Sequence, residues 1–152
     1  MQVKKIVMAS DHAACELKSF LKEQLIQIGY EIIDCGTEDP TVSVDYPDKA
    51  YLLAKTLKEK KADCGILLCG SGIGMSIAVN RYSFIRAALV HSEEYARLSR
   101  QHNDANVLVL GGRFLNKTEA LKITEIFLTT DFEAGRHAQR TKKLGEMPHD
   151  FE

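Results

Sequence analysis

Hydrophobic residues recur in this chain with two different periods, and the two alternate from end to end. Residues 3–9 (Val-Lys-Lys-Ile-Val-Met-Ala) are β-rich and stop at the polar trio Ser10-Asp11-His12. From 13 to 28, Leu17, Leu21, Leu25 and Ile28 return near helical spacing with Lys18, Lys22 and Glu23 outside the stripe, which predicts an amphipathic helix ended by Gly29. Residues 30–34 read as a second short strand. Gly36, Pro40 and Pro47 mark 35–47 as a loop, and Pro47 suits the first turn of a helix running to about Lys60. The runs 66–69 and 107–110 are short and wholly apolar, and 85–90 is apolar except for Arg86, as expected of parallel strands buried on both faces. Helical stretches near 73–80, 92–101 and 116–129 separate and follow them. This alternation predicts a doubly wound, three-layer α/β/α sandwich, Rossmann-like, with a five-stranded, mostly parallel sheet.

Composition narrows the class. A chain of 152 residues, 45% hydrophobic and 27% charged, fits one globular domain with a sizeable core. Twenty basic residues balance twenty-one acidic ones, so no overall positive field exists to hold a nucleic-acid backbone. No apolar run is long enough to span a membrane, and Met1-Gln2-Val3-Lys4-Lys5 lacks a signal-peptide pattern. Cys15, Cys35, Cys64 and Cys69 form no CxxC pair, which argues for reduced thiols in a cytoplasm and against a disulfide framework or a zinc site. The glycines carry one skew: of ten, three fall at Gly70, Gly72 and Gly74.

Ligands of such sheets bind beyond the carboxyl ends of the strands. Just past the predicted strands stand Ser10-Asp11-His12, then Cys69-Gly70-Ser71-Gly72-Ile73-Gly74, then His91, then Gly111-Gly112-Arg113. The segment before the last strand adds Arg100, His102, Asn103 and Asp104, and the expectation is that most of these groups face one crevice.

The glycine turn is not a nucleotide loop. No lysine follows at Walker spacing, and Met75 stands both where a third dinucleotide-loop glycine and where a phosphatase-loop arginine would fall. What remains is a turn of backbone N–H groups entering a helix. It suits an anion or a developing oxyanion, or else is a ligand-free strand–helix turn. Cys69 sits at its start, where a cation or a helix N-terminus can turn a thiol into a reactive thiolate; the alternative is an inert buried cysteine, as read for the other three. His102 is either a general acid/base or a structural loop histidine. Asp11 can cap the first helix. Arg136 and Arg140, one helical turn apart with His137 beside them, are either a solvated basic end or a fork of donors for a phosphate.

Five stretches in order carry a family resemblance: Ser10-Asp11-His12-Ala13, Asp45-Tyr46-Pro47-Asp48, Cys69 to Ser76, Arg100 to Val107, and Phe132-Glu133-Ala134-Gly135-Arg136-His137. From about residue 3 to 143 the chain resembles the ribose-5-phosphate isomerase B family, which also contains the galactose-6-phosphate isomerase subunits. The resemblance implies a cytoplasmic aldose–ketose isomerase of the non-oxidative pentose phosphate pathway. It implies no metal and no organic cofactor, and a homodimer or homotetramer whose sites lie between subunits. It assigns proton transfer between C1 and C2 to Cys69 and ring opening to His102. Gly70, Ser71, Gly72, Ile73 and Gly74 would supply N–H groups to substrate oxygens. Asp11, His12, Tyr46 and Asn103 would line the sugar, and Arg113, Arg136 and Arg140 the phosphate, with the last two arginines supplied either by the same chain or by a partner chain. Residues 1–143 would form the domain and 144–152 a tail.

Some branches of the family place a glutamate at the position of Met75 as base; methionine takes no proton, so the burden here falls on Cys69. Ala14 and Ala134 stand where glycines are common, a change of backbone and not of functional group. Two alternatives accompany the ribose 5-phosphate reading. One is the same chemistry on a six-carbon phosphate such as allose or galactose 6-phosphate. The other is a non-catalytic sugar-phosphate-binding module, which would be expected to lose Cys69 or His102.

Overall fold

The computed structural model describes residues 1–146, and within them five strands form one sheet. In chain order the elements are β1 (Lys5–Ser10), α1 (Cys15–Ile28), β2 (Glu31–Asp34), α2 (Tyr46–Lys58), β3 (Cys64–Cys69), α3 (Ile73–Val79), β4 (Ala87–Leu89), α4 (Glu93–Gln101), β5 (Val107–Gly111), α5 (Lys117–Thr129) and α6 (Arg136–Gly145). The strand order is β2-β1-β3-β5-β4, and every pairing is parallel. The three-layer α/β expectation therefore holds, with the sheet wholly parallel.

Alternation along the strands splits the core in two. Ile6, Met8, Ile66, Leu68, Leu108 and Leu110 face α1, α4 and α5, where Leu21, Leu25, Ala96 and Phe127 cover them. Val7, Ala9, Leu67, Val107 and Val109 face α2 and α3, under Leu53, Met75 and Val79. Burying each of the larger side chains contributes about 1.5–3 kcal/mol. The two half-cores explain why β3 and β5 read as unbroken apolar runs: both faces are dry.

Several boundaries differ from the sequence reading for local reasons. The fourth strand keeps only Ala87–Leu89 of the run 85–90, because Ile85 is held in a turn by Tyr82. The third strand starts two residues early, at Cys64, where Asp63 and Gly65 already pair with Lys5 and Asn106. Lys18 lies outside the apolar stripe in sequence yet is fully buried, because its ammonium meets Asp34 at 2.5 Å. α6 has no apolar stripe, burying only His137, so periodicity does not reveal it. It carries the chain through Leu144 and Gly145, inside the expected tail; the rest of that tail, 147–152, lies outside the described residues.

Connections from β1 and β3 leave in opposite directions, β1 toward the outer strand β2 and β3 over β5 toward β4. The crevice between the carboxyl ends of β1 and β3 is thus the switch point at which such sheets bind ligands.

Candidate active site

Cys69 closes β3 at this switch point, opposite Gly111 of β5, and is 5% exposed. The Gly72 N–H donates to its sulfur at 3.1 Å. That contact requires the turn to double back, and Gly72 does so with φ +80, in the left-handed region. A Cβ there would stand 2.4 Å from Leu89 Cδ1, so both conformation and space demand glycine. The glycine crowding in the sequence is a cradle folded around a sulfur. Ser71 Oγ accepts from the Ile73 N–H at 3.2 Å and braces the first turn of α3.

The neighbouring strand ends converge on this turn. Asp11 donates its N–H to Leu68 O at 3.2 Å, and its carboxylate accepts from Ala13 N–H at 3.0 Å, capping a short 3-10 turn, His12–Ala14, that precedes α1. His12 Nδ1 accepts from Val44 N–H at 3.3 Å, which pins the 35–45 loop beside β1. Tyr46, at the start of α2, lays its ring on Gly74, where a Cβ would come within 2.8 Å of the ring. Arg113 donates its N–H to Gly70 O at 3.0 Å, and its guanidinium lies over the Gly70 backbone. One chain therefore assembles Asp11, His12, Tyr46, Cys69, Gly70, Ser71, Gly72, Ile73, Gly74 and Arg113 around one thiol.

His102, Asn103, Arg136 and Arg140 are elsewhere. His102 caps the C-terminal end of α4, and the segment after it enters β5 from below; Asn106 O there accepts from the N–H of Gly65, near the start of β3. The amino and carboxyl ends of β3 are about 16 Å apart at the rise of a parallel strand. The expected single crevice is thus overturned for one chain: Arg100, His102, Asn103 and Asp104 precede a strand rather than follow one. Arg100 and Asp104 are structural. Buried Arg100 donates to Asp104 Oδ1 at 2.9 Å, to Ala105 O at 2.5 Å and to Thr130 O at 3.2 Å, fixing the turn that presents His102 and Asn103.

At this lower end the His102 ring stacks on His137, centroids 4.4 Å apart and planes 14° from parallel. Glu133 Oε2 stands 4.0 Å from His102 Nε2 and 3.8 Å from His137 Nε2. Burial pushes the His137 pKa below the usual range; the His102 and Arg136 charges add to this, and Glu133 opposes it. Glu133 and His137 were not singled out from sequence, although their i,i+4 spacing was there to be read. Asn103 lines a 340 Å³ cleft with Asn80, Arg86 and Leu144. A cleft of 590 Å³ between α1 and α5 is lined by Ala13, Glu16, Gly112 and Lys117 among others and holds none of the expected site residues.

Comparison with known proteins identifies the family. The family model described as Ribose/Galactose Isomerase matches residues 6–144. The chain is 39% identical over 142 residues to ribose-5-phosphate isomerase B of Escherichia coli, covering 93% of this chain and 95% of that one. The crystal structure of a ribose 5-phosphate isomerase from Thermotoga maritima superposes with a TM-score of 0.92 at 50% identity, covering 96% and 99% of the two chains. Ribose-5-phosphate isomerase B of Mycoplasma genitalium, solved with bound ribulose-5-phosphate, gives 0.89 at 41% identity, covering 96% and 97%.

Proposed function

The chain belongs to the ribose/galactose isomerase family, and from that premise we propose that it interconverts ribose 5-phosphate and ribulose 5-phosphate through an enediolate. The observation that carries this reading is the Cys69 sulfur at the β1/β3 switch point with the Gly72 N–H aimed at it. A thiolate is a workable base for a reversible proton shuttle.

In this mechanism Cys69 takes the proton from C2 and returns it to C1. Charge then develops on the carbonyl oxygen, and the amides of the 70–74 turn are the donors available to it. Each donor fixed at such an oxygen is worth about 3–4 kcal/mol of barrier. Asp11 and His12 hold the sugar hydroxyls, with Tyr46 lining the pocket. The phosphate does not react; Arg113, Arg136 and Arg140 clamp it and so orient the reacting carbons over Cys69. His102 opens the furanose ring, with Asn103 beside it.

The separation of Cys69 from His102 within one chain supports a site shared by two copies, one giving Cys69 and Arg113 and the other His102, Asn103, Arg136 and Arg140. The face beside the Cys69 turn is apolar, with Ile73 and Ile77 of α3 55% and 61% exposed, as a surface covered by a second copy would be. A homodimer is the smallest assembly that completes two such sites; a homotetramer would pair two dimers. Among the described residues no helix is long and apolar enough to cross a membrane. The cytoplasm, inferred from four unpaired thiols, is where this substrate would be met.

The test is a direct assay with ribose 5-phosphate and allose 6-phosphate. Turnover of the pentose phosphate is expected, together with loss of solvent-proton exchange at C2 in Cys69→Ala. Exchange at the wild-type rate in that variant would remove Cys69 as the base.

A further inference from the structure

We propose that His102, Glu133 and His137 form a binding site for a divalent transition-metal ion of the zinc class, and that its occupancy switches the isomerase off. The donors are right in kind and number. Two imidazoles and one carboxylate are a common three-ligand zinc set, leaving a fourth position for water. One ligand atom from each lies within 4.8 Å of the other two, and both histidines turn a ring nitrogen toward the same carboxylate oxygen. Donors around zinc at about 2.1 Å stand about 3.4 Å apart, so the three need to close by roughly an ångström.

The burial pattern allows that closure. His137 is anchored, its side chain 10% exposed, whereas those of His102 and Glu133 are 39% and 52% exposed. One fixed ligand and two free ones can gather on an ion without moving the backbone. The stacked arrangement has no other strong bond to lose, since 4.0 and 3.8 Å are too long for hydrogen bonds. Arg136 and Arg140 lie close enough to depress the His137 pKa and will also repel a dication. Affinity in the micromolar range is therefore expected, suited to reversible inhibition and not to a resident cofactor.

The regulatory half rests on the role proposed above for His102. A metal on its ring nitrogen removes the lone pair that ring opening needs, and the sugar phosphate and the ion then compete for one place.

Zinc chloride titrated into the full-length protein, in phosphate-free buffer with a non-chelating reductant, tests the site by calorimetry. The Cys69→Ala background removes the competing thiol of the 70–74 turn. One ion per chain is expected there, with affinity falling at least ~10-fold in Glu133→Gln and in His137→Ala. Glu133 is half-exposed, so the first variant keeps its fold even where the second does not. Unchanged affinity in Glu133→Gln, or no uptake of zinc, overturns the site. In the wild-type enzyme zinc is expected to inhibit competitively with ribose 5-phosphate, reversed by EDTA, and Glu133→Gln to raise the half-inhibitory concentration at least ~10-fold. Zinc bound at these ligands without inhibition overturns the switch. Metal-free protein that binds zinc here but isomerises no sugar phosphate defeats the proposed function and leaves the metal site standing.

Discussion

The Gly72 N–H reaches the Cys69 sulfur at 3.1 Å only because Gly72 has φ +80 and carries no side chain against Leu89. Replacing it by alanine sets a left-handed alanine, costing about 1–2 kcal/mol, against a Cβ with Leu89 Cδ1 2.4 Å away. The turn relieves both by moving its amide off the sulfur. Gly72→Ala is expected to lower kcat by about 10–100-fold, since one hydrogen bond to a charged group is worth about 1.5–3 kcal/mol, with a modest fall in melting temperature. Steady-state kinetics beside thermal unfolding separate the two effects; wild-type kcat in a folded variant would show the donor to be idle.

A site built from two chains makes a quantitative prediction about mixing. Cys69→Ala and His102→Ala should each be nearly inactive on the cyclic sugar. Unfolded together and refolded, they form mixed dimers in which one site carries both lesions and the other neither. Random pairing then restores about a quarter of wild-type activity. No recovery after confirmed mixing would mean that each chain keeps its own site.

Much of this was legible in the sequence because the signals are local. Buried parallel strands announce themselves as apolar runs, and the Gly70–Gly74 crowding marks a tight turn beside a strand-end cysteine whatever the rest of the chain does. What was not legible depends on direction. His102 and Cys69 both follow regular elements in sequence, but one element is a helix running down and the other a strand running up, so the two finish at opposite ends of the sheet. Lys18 misleads for a related reason: its partner Asp34 is sixteen residues away, on another element. The α6 helix, polar almost all round, leaves no stripe to detect.

Ala134 is one departure that the backbone makes testable. It sits at φ +55, where a glycine would rest without strain. Ala134→Gly is expected to stabilise the protein by about 1 kcal/mol, the relief of a left-handed alanine less the extra entropy of the unfolded chain. Urea unfolding measures it. A destabilised variant would mean that the alanine methyl packs better than its dihedral costs.

Asp34 gives a pH dependence with a definite sign. Burial works against its ionisation, but hydrogen bonds from Lys18, the Gly36 N–H and Lys22 overcome this and hold its pKa below the usual carboxylate value. A depressed carboxylate contributes stability that is full above the unfolded pKa, about 3.9, and disappears as pH falls through the lower folded value. Asp34→Asn leaves Lys18 buried without a counter-charge, so at pH 7 it should lose about 3–5 kcal/mol. The gap between wild type and variant should narrow at pH 3, read from denaturant midpoints at both pH values. An equal gap would assign the loss to packing instead of charge.

Arg100 offers the sharpest test of how the lower half of the site is held. Its guanidinium is bonded both to the turn carrying His102 and Asn103, through Asp104 and Ala105 O, and to Thr130 O, from which the chain runs on to Glu133 and Arg136; the Glu133 N–H, donating to Gln101 O at 3.1 Å, adds a backbone tie between the same segments. It also lies 5.8 Å from the Phe127 ring centroid. A lysine keeps the charge but not the planar fork, so it can serve one of these acceptors and must leave others bare. Arg100→Lys should cost about 2–4 kcal/mol of stability. Loss of fold alone would lower the active fraction and leave KM unchanged. Because the fork registers His102 against Arg136, the folded enzyme is expected instead to show a raised KM for ribose 5-phosphate and a lower kcat on the cyclic sugar, measured well below its melting temperature. Wild-type KM and kcat per folded molecule would reduce Arg100 to a stability element and leave the placement of His102 to the packing of α4 and the Glu133 N–H to Gln101 O bond.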